Sequence, residues 1–411
     1  MASGIVPPVI EADRPGTGRA TRRVRAVTDT GRGPLAGIRV LEVGHILAGP
    51  FAGMLLADLG ADVIKIEPQS GDLSRQVGAQ AVDDHNVYFA SLNRNKRSVR
   101  IDLNTDEGQA QLGELAATAH ALLVNQRPST IRKLGLDYES LRRFNPTIVC
   151  VAVTGYGLDG PAAEWPAFDY VIQALTGVAA MTGEPDGPPS LAGYSAVDNS
   201  AGAMAALGLL AKVLEGKGGQ VDVSLFDVML SQLNYKAAAY LNGGDRPARQ
   251  PLGGHTFYVP AQLFETASGY LALFVTHDEF WRRLCHEIGR PAWGNDPRYA
   301  TMQRRFEHRG ELLDELGAVL KAAPAAEWVE RLRPLGIAVG EVVDLGDALD
   351  SELARSRGVV VSVDTQEGPL RMVGNPIRYA GEPTIVRAPP RLHEHTGDLI
   401  GHTAPDPGQA S

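Results

Sequence analysis

The sequence is poor in cysteine and has no long hydrophobic run. Of its 411 residues only Cys150 and Cys285 are cysteines, and no C-x-x-C pair is present. These features exclude a disulfide scaffold and a cysteine-based zinc site. The nearest candidate for a membrane span, residues 201–214, contains Lys212 and is shorter than the ~18 residues that cross a bilayer. We therefore expect no membrane partner, no secretory signal and a reducing, cytoplasmic location.

The chain also lacks an excess of positive charge. It has 39 Lys and Arg against 48 Asp and Glu, for a net charge of −9. Nucleic acids and anionic membranes bind surfaces with a summed positive field, so we expect no nucleic-acid partner. Hydrophobic residues at 44% and charged residues at 21% are typical of a globular protein. The length of 411 residues predicts two or three domains. Residues 1–33, rich in Gly, Pro, Thr and Arg, are the exception and predict a flexible arm.

Short apolar stretches alternate with helical patterns over the first half of the chain. This alternation predicts an α/β fold in which a mostly parallel sheet has helices on both faces. The predicted strands are IRVLEV (38–43), ADVIKIE (61–67), SVRIDL (98–103), ALLVNQ (121–126), TIVCVAVTG (147–155) and the strand at the start of residues 220–244, which passes into one long helix.

Two motifs have the composition of functional sites but favour other interpretations. Gly155-Tyr-Gly157-Leu-Asp-Gly160 has dinucleotide-binding spacing, yet Pro161 and Pro166 stand where the phosphate-binding helix should begin, which favours a glycine-rich turn. The histidines near the C-terminus, 393, 395 and 402, have no carboxylate cluster beside them, and we predict no metal site. No G-x-S-x-G motif supports a serine nucleophile.

Asp198 stands where an extended segment meets a long helical pattern, predicted over residues 199–215. At that place it would be the N-cap of the helix. The free N–H groups and the positive end of the helix dipole would keep its carboxylate ionised at pH 7. An ionised carboxylate can attack a carbonyl carbon. From these residues alone, a structural cap and a nucleophile both stay open.

Seven sequence blocks follow one another between residues 34 and 396. They are PLAGIRVLEVGHILAGPFAGMLLADLGADVIKIEP (34–68), SLNRNKRSVRIDL (91–103), RPSTIRKLGLDYESLRRFNPTIVCVAVTGYGLDGP (127–161), FDYVIQALTGVAAMTGEPDGPP (168–189), DNSAGAMAALGLLA (198–211), GKGGQVDVSLFDVML (216–230) and RLHEHT (391–396). In this order they resemble the class III CoA-transferases, the family of formyl-CoA:oxalate and carnitine CoA-transferases, to which α-methylacyl-CoA racemases are related.

The resemblance implies a Rossmann-like large domain, a smaller α+β domain and a homodimer interlaced like two linked rings. The implied divisions are the arm over 1–33, a CoA-binding large domain over 34–225, a linker helix and loop over 226–257, a small domain over 258–345, and a segment over 346–411 that returns to the large domain.

The resemblance also implies an activity, the transfer of CoA from an acyl-CoA thioester to a free carboxylic acid. The nucleophile falls on Asp198, which would form first an aspartyl-acyl anhydride and then an aspartyl-CoA thioester, with no metal. Asp169 lies where the racemases carry a working acid, and Gly253, Gly254 and His255 lie where a glycine-rich loop closes over the site. Asp186 is interpreted as a turn residue.

Contacts to CoA carry over by position. They fall on Ile46, Leu47, Ala48, Ile101, Asn125, Gln126, Arg127 and Lys133, with Arg75, Lys96 and Arg97 as further candidates for the phosphates.

Three positions depart from the formyl-CoA enzyme, which has Gln, Arg and Tyr where this chain has Leu47, Pro68 and Phe168. These apolar residues favour an acyl partner larger or less polar than oxalate. Two other functions stay open: an α-methylacyl-CoA racemase, although Phe168 replaces the histidine typical of racemases, and a CoA-binding protein without catalysis.

Overall fold

A computed structural model describes residues 33–78, 81–82, 85–365, 368–380 and 385–400. The predicted arm, apart from Gly33, and His402 lie outside the described residues. The strands are β1 (Arg39–Val43), β2 (Asp62–Glu67), β3 (Ala81–Val82), β4 (His85–Asn86), β5 (Arg97–Arg100), β6 (Ala121–Val124), β7 (Val149–Thr154), β8 (Gly219–Ser224), β9 (Ala261–Glu265), β10 (Tyr270–Phe274), β11 (Ala338–Glu341), β12 (Val360–Thr365) and β13 (Gly368–Val373).

The α-helices alternate with these strands in the first half of the chain and cluster after β10. They are α1 (Ala48–Asp58), α2 (Val87–Asn93), α3 (Asp106–Ala116), α4 (Pro128–Lys133), α5 (Tyr138–Leu141), α6 (Asp169–Leu175), α7 (Val178–Met181), α8 (Ala196–Glu215), α9 (Leu225–Gln232), α10 (Asn234–Gly243), α11 (Asp278–Glu287), α12 (Met302–Glu307), α13 (Arg309–Leu320), α14 (Ala325–Leu332), α15 (Leu345–Asp350), α16 (Glu352–Ser356) and α17 (Thr396–Ile400). Short 3-10 helices lie at Leu73–Gln76, Pro251–Gly253, Pro291–Asn295 and Arg333–Leu335.

Six strands form the central sheet in the order β5-β2-β1-β6-β7-β8, and every neighbouring pair is parallel. Counted along the chain this order is 3-2-1-4-5-6, the order of a Rossmann fold. The predicted α/β fold with a parallel sheet is thus confirmed. After β5 the chain returns to the other side of β1 and adds β6, so the strand order reverses between β1 and β6. At such a point the loops after the two strands leave in opposite directions, and a crevice forms at the carboxyl ends of the strands.

Side chains that alternate along the strands build a core on each face of the sheet. In the first core, on one face, Val40 and Leu123 pack with Ala52 of α1 and Ala205 of α8. In the second core, on the other face, the adjacent residues Leu41 and Leu122 pack with helices α3 and α4. The strands are therefore apolar on both faces, which is why they appear in the sequence as short continuous apolar runs.

Helix α8 has the length and composition of a membrane-crossing helix and is longer than the apolar stretch noted in the sequence. Val197, Ala201, Ala205 and Leu209 on α8 lie in the first core, against the sheet. This packing accounts for the apolar residues on that face of the helix.

A third core is built from residues between 259 and 339. It lies between the antiparallel sheet β11-β10-β9 and the helices α11, α13 and α14. Strands β9 and β10 form a hairpin, and Gly269 adopts φ +79° at its turn. The domain boundaries themselves stay a prediction.

Two further predictions from the sequence concern the C-terminal segment and the helix within residues 220–244. The C-terminal segment lies along β5, where the His395 N–H donates to the Ser98 carbonyl at 2.9 Å. The single long helix predicted within residues 220–244 is wrong, because the chain breaks into α9 and α10 at Asn234, where φ is +21°.

Candidate active site

A cavity of about 420 Å³ opens at the carboxyl ends of β1, β6 and β7, in the crevice where the strand order reverses. Seven residues predicted to bind CoA or to act as the nucleophile line it together: Ile46, Leu47, Ala48, Asn125, Gln126, Arg127 and Asp198. They come from three separate parts of the chain. Parallel strands bring them together because their carboxyl ends meet at one edge of the sheet.

Asn125, directly after β6, fixes the backbone that follows β1. Its side-chain oxygen accepts from the His45 N–H at 2.9 Å, and its side-chain nitrogen donates to the His45 carbonyl at 3.0 Å. Glycine is required at position 49, because a Cβ there would lie 2.9 Å from the Asn125 side chain. The turn between β1 and α1 is thus pinned to the neighbouring strand.

Asp198 is the third residue of helix α8 and not its N-cap, so that part of the sequence analysis is wrong. The helix begins at Ala196, and the cap position, Ser195, makes no side-chain capping bond. The cap comes instead from Asp169, which is 5% exposed. One oxygen of Asp169 accepts from the N–H groups of Val197 (2.8 Å) and Asp198 (3.1 Å), and the other accepts from the Gln173 side chain.

The electrostatics of Asp198 differ accordingly from the expectation. Burial, and then the negative charge of Asp169, raise the pKa of Asp198 to about 7. The carboxyl is therefore only partly ionised at neutral pH instead of fully ionised. A carboxyl tuned in this way at a cavity wall is a feature of catalytic sites.

Tyr88, which sequence analysis missed, belongs to the same electrostatic environment. Burial and then the charges of Asp198 and Asp72 raise the pKa of its phenol. The phenol of Tyr88 and the carboxyl of Asp198 therefore interact electrostatically. Its position in YFASLN, within a helix of mixed composition, gave no signal.

Arg75, Lys96 and Arg97 do not line the cavity, and each is engaged in an ion pair. Arg75 contacts both oxygens of Glu67, at 2.7 and 2.8 Å, and Arg97 contacts both oxygens of Asp62. Lys96 is fully buried and donates to Glu42 (2.7 Å), to the Asn93 side chain and to the Pro50 carbonyl. No donor of its ammonium group is left for a phosphate.

The remaining predicted contacts are divided. Ile101 is 2% exposed and lies in the second core, away from the cavity. Arg127 is an exposed cation that lines the cavity, whereas Lys133 is an exposed cation in the last turn of α4 and does not line it.

The loop of Gly253, Gly254 and His255 does not line the cavity in the single chain. The neighbouring Leu252 donates its N–H to Glu184 at 2.9 Å, and the His255 ring accepts from the N–H groups of Phe257 and Tyr258. Burial and then the charges of Lys236 and Arg309 lower the pKa of His255. Closure of this loop over the site stays a prediction.

Several wall residues were missed in the sequence, and most are apolar. His45, Leu73, Trp165 and Ala167 are examples, and Trp165 and Phe168 are 58% and 67% exposed. The exposed rings sit after the glycine-rich turn, which is confirmed as a turn because no helix follows it until α6. Among the described residues, no group of three potential ligands is placed to hold a metal.

The profile of the family described as CoA-transferase family III matches residues 35–396. The chain belongs to CoA-transferase family III. Membership agrees with the resemblance of the seven sequence blocks and makes the chain an enzyme of this family.

Named relatives of this family III CoA-transferase extend over nearly the whole chain. It is 34% identical to a succinate–glutarate CoA-transferase of Agrobacterium fabrum, covering 89% of this chain and 95% of that protein. It is 32% identical to an acetyl-CoA:oxalate CoA-transferase of Acetobacter aceti, covering 90% and 95%. The crystal structure of an alanine variant of a Mycobacterium tuberculosis protein superposes with a TM-score of 0.81 at 32% identity, covering 90% of this chain and 98% of that one.

Proposed function

We propose that this enzyme transfers CoA from an acyl-CoA thioester to a free carboxylic acid, with Asp198 as the covalent nucleophile. The observation that carries the proposal is that the Asp198 carboxyl lines the same cavity as residues 46–48 and 125–127, on which the resemblance to the family places CoA. The relatives named as CoA-transferases support the reaction type.

The reaction balances without an external energy source. The Asp198 carboxylate attacks the thioester carbonyl, the C–S bond breaks, and a mixed anhydride and CoA thiolate form. The thiolate then attacks the aspartyl carbonyl, which releases the first carboxylate and leaves an aspartyl-CoA thioester. The acceptor carboxylate repeats these two steps in reverse and restores Asp198. Because one thioester and one carboxylate are exchanged for another pair, neither ATP nor a metal is needed to drive the transfer.

The cavity suggests how CoA is oriented. We place the pantetheine along Ile46, Leu47 and Ala48, which are apolar. We place the phosphates toward Arg127, an exposed residue of the cavity wall, and Lys133, an exposed residue of α4. Guanidinium and ammonium groups suit phosphate. Arg75, Lys96 and Arg97 are left out of this arrangement because their charges are already paired.

The acyl group is proposed to be larger or less polar than oxalate. Leu47, Trp165 and Phe168 give the cavity apolar surface where a small dianion would require donors. Racemization receives no such support. Both oxygens of Asp169 accept hydrogen bonds from the protein, and the phenyl ring of Phe168 cannot carry a proton.

The functional unit is proposed to be the interlaced homodimer. Helix α10 has no buried residue in the single chain, and Leu207 and Leu241 are 60% and 77% exposed. Such exposed apolar surface supports an interface between proteins, and the family resemblance supports a second copy as the partner. A cytoplasmic location stays part of the proposal, consistent with two buried free thiols.

Chemical trapping tests the nucleophile directly. Hydroxylamine added during turnover attacks the aspartyl carbonyl and displaces CoA, which leaves a hydroxamate on Asp198 that peptide mass spectrometry detects. Asp198→Ala should abolish transfer and still bind CoA, whereas Asp186→Asn, in an exposed turn, should transfer and be trapped normally. An active preparation whose Asp198 stays unmodified would refute the mechanism, and solvent deuterium entering the α-position of 2-methylacyl-CoA without an acceptor acid would favour the racemase.

A further inference from the structure

Ile46 adopts a left-handed backbone conformation, with φ +67°, in the wall of the cavity. It lies in the turn between β1 and α1, directly before Leu47 and Ala48. For a β-branched residue this conformation is unfavourable, because its side chain crowds the backbone. Such a residue persists only where its surroundings hold it.

Asp72 is the group that holds it. One oxygen of the Asp72 carboxylate accepts from the Ile46 N–H at 3.1 Å and also from the N–H and hydroxyl of Ser74. The other oxygen contacts the Lys65 ammonium at 2.7 Å. Both side chains are fully buried, so the pair is rigid and screened from solvent.

Lys65 ties the other end of the same turn. Its ammonium donates to the Gly44 carbonyl at 2.8 Å and contacts Glu42 at 2.8 Å. The backbone on both sides of His45 is therefore fastened to one buried ion pair. Neither Asp72 nor Lys65 lines the cavity, so any effect on the reaction must pass through the turn.

We propose that Asp72, anchored by Lys65, is a positioning residue that holds Ile46 in its left-handed conformation and thereby sets the wall of Ile46, Leu47 and Ala48 against which acyl-CoA binds. The inference rests on the proposed function, since it takes the cavity as the acyl-CoA site. Asp198 is held separately by Asp169. Loss of the Asp72 contact should therefore weaken acyl-CoA binding and leave the chemical step nearly intact.

A double-mutant cycle between Asp72→Ala and Ile46→Gly tests this coupling. Glycine adopts positive φ without help, so it should compensate for the lost contact. Asp72→Ala should raise KM for acyl-CoA about tenfold with kcat within about twofold, and adding Ile46→Gly should lower that KM by about threefold. In the wild-type background Ile46→Gly should instead raise KM, because an apolar contact is lost. Equal factors for Ile46→Gly in both backgrounds would overturn the proposal.

Asp344→Ala provides the matched control. Asp344 caps α15 through the Asp347 N–H at 2.9 Å, as Asp72 caps its 3-10 helix, but the group that it holds is not in the cavity wall. Its substitution should leave KM unchanged, and an equal rise in KM would show that loss of any cap suffices, against the proposal.

If Asp72→Ala does not fold, Asp72→Asn replaces it in the cycle, since the amide keeps an oxygen for Ile46 but loses the ion pair. A smaller rise in KM with the same compensation is then expected, and its absence refutes the inference.

Calorimetric titration with CoA repeats the cycle without turnover. A wild-type protein that binds CoA but transfers none would refute the proposed function, while the cycle on Kd would still decide the role of Asp72. Transfer by the wild type without coupling between the two substitutions would refute only the present inference.

Discussion

The carboxylate of Asp169 accepts a hydrogen bond from the backbone N–H of Asp198 at 3.1 Å, so one acid caps the helix that carries the other. It also accepts from Val197, and it thereby takes two of the N–H groups that a helix leaves free at its start. The positive end of the helix dipole is offset by Asp169. The Asp198 side chain therefore experiences burial and a neighbouring negative charge, which explains its raised pKa.

The first prediction removes that charge. Asp169→Asn keeps an oxygen that can cap α8 but no longer opposes ionisation of Asp198, so the pKa of Asp198 should fall. The rising limb of the kcat–pH profile, near pH 7 in the wild type because the nucleophile must be ionised, should move down by about one unit. The pH dependence of single-turnover rates measures this shift. Asp186→Asn is the control, and a limb that stays in place would show that Asp169 does not set it.

The second prediction concerns stability. The carboxyl of Asp198 has a pKa of about 7 in the folded protein against an ordinary value of 3.8. Below pH 3.8 both states are protonated; between the two values only the unfolded state ionises, and the folded state loses stability until about pH 7. Asp198→Asn removes this penalty.

The gain in unfolding free energy from Asp198→Asn should therefore increase by about 3 kcal/mol between pH 5 and pH 8. Urea unfolding of both proteins at the two pH values measures it. The control Asp186→Asn should change the free energy of unfolding by the same amount at pH 5 and at pH 8. A gain for Asp198→Asn that does not change with pH would contradict the raised pKa.

The parallel sheet was predictable because it depends on local pattern. Ile46 comes shortly after one predicted strand and Asn125 lies at the end of another, and parallel strands end at one edge, so their proximity agrees with the alternation. Their assignment to the site came from the family resemblance. The family resemblance, and not the pattern, selected Asp198 from among the acids of the chain.

The rest depends on contacts between distant residues. Lys96 stands in the polar run NRNKRS, which has the pattern of a solvated surface, but strand register brings it against Glu42, 54 positions away. The start of α8 was predicted three residues late because the residue that caps it, Asp169, lies on another helix. No local signal reports such a partner.

The third prediction separates Lys96 from Lys133. Lys96→Met leaves one oxygen of the buried Glu42 without its cation and should lower the free energy of unfolding by about 3 kcal/mol. The KM for acyl-CoA of the folded fraction should stay unchanged. Lys133→Met, at an exposed site, should do the reverse, raising KM severalfold with little effect on stability. Urea unfolding measures the stability of both variants, and steady-state kinetics measures their KM for acyl-CoA. A raised KM in a fully folded Lys96→Met variant would show that Lys96 is a phosphate ligand after all.

The fourth prediction tests the homodimer. Leu207 lies on the exposed face of α8 and is 60% exposed in the single chain. If a second copy covers it, Leu207→Glu buries a charge and should shift the protein toward monomer. Sedimentation velocity at several concentrations measures the change, and Leu207→Met, which keeps an apolar side chain, is the control. A wild type that sediments as a monomer at all concentrations would rule out the homodimer.

The fifth prediction concerns the choice of acid. Leu47 lines the cavity beside Ala48 and presents no hydrogen-bond donor, which should disfavour a small dicarboxylate as acceptor. Leu47→Gln introduces an amide donor at the place where the formyl-CoA enzyme has Gln. The ratio of kcat/KM for oxalate to that for a longer monocarboxylic acid should rise about tenfold, since one hydrogen bond to a charged group contributes about 1.5 kcal/mol or more. Competition between the two acids, with the new thioesters identified by mass, measures the ratio directly. Leu47→Met should leave it unchanged, because volume and polarity are kept. An unchanged ratio in Leu47→Gln would place the acyl group elsewhere in the cavity, with Leu47 serving only the pantetheine.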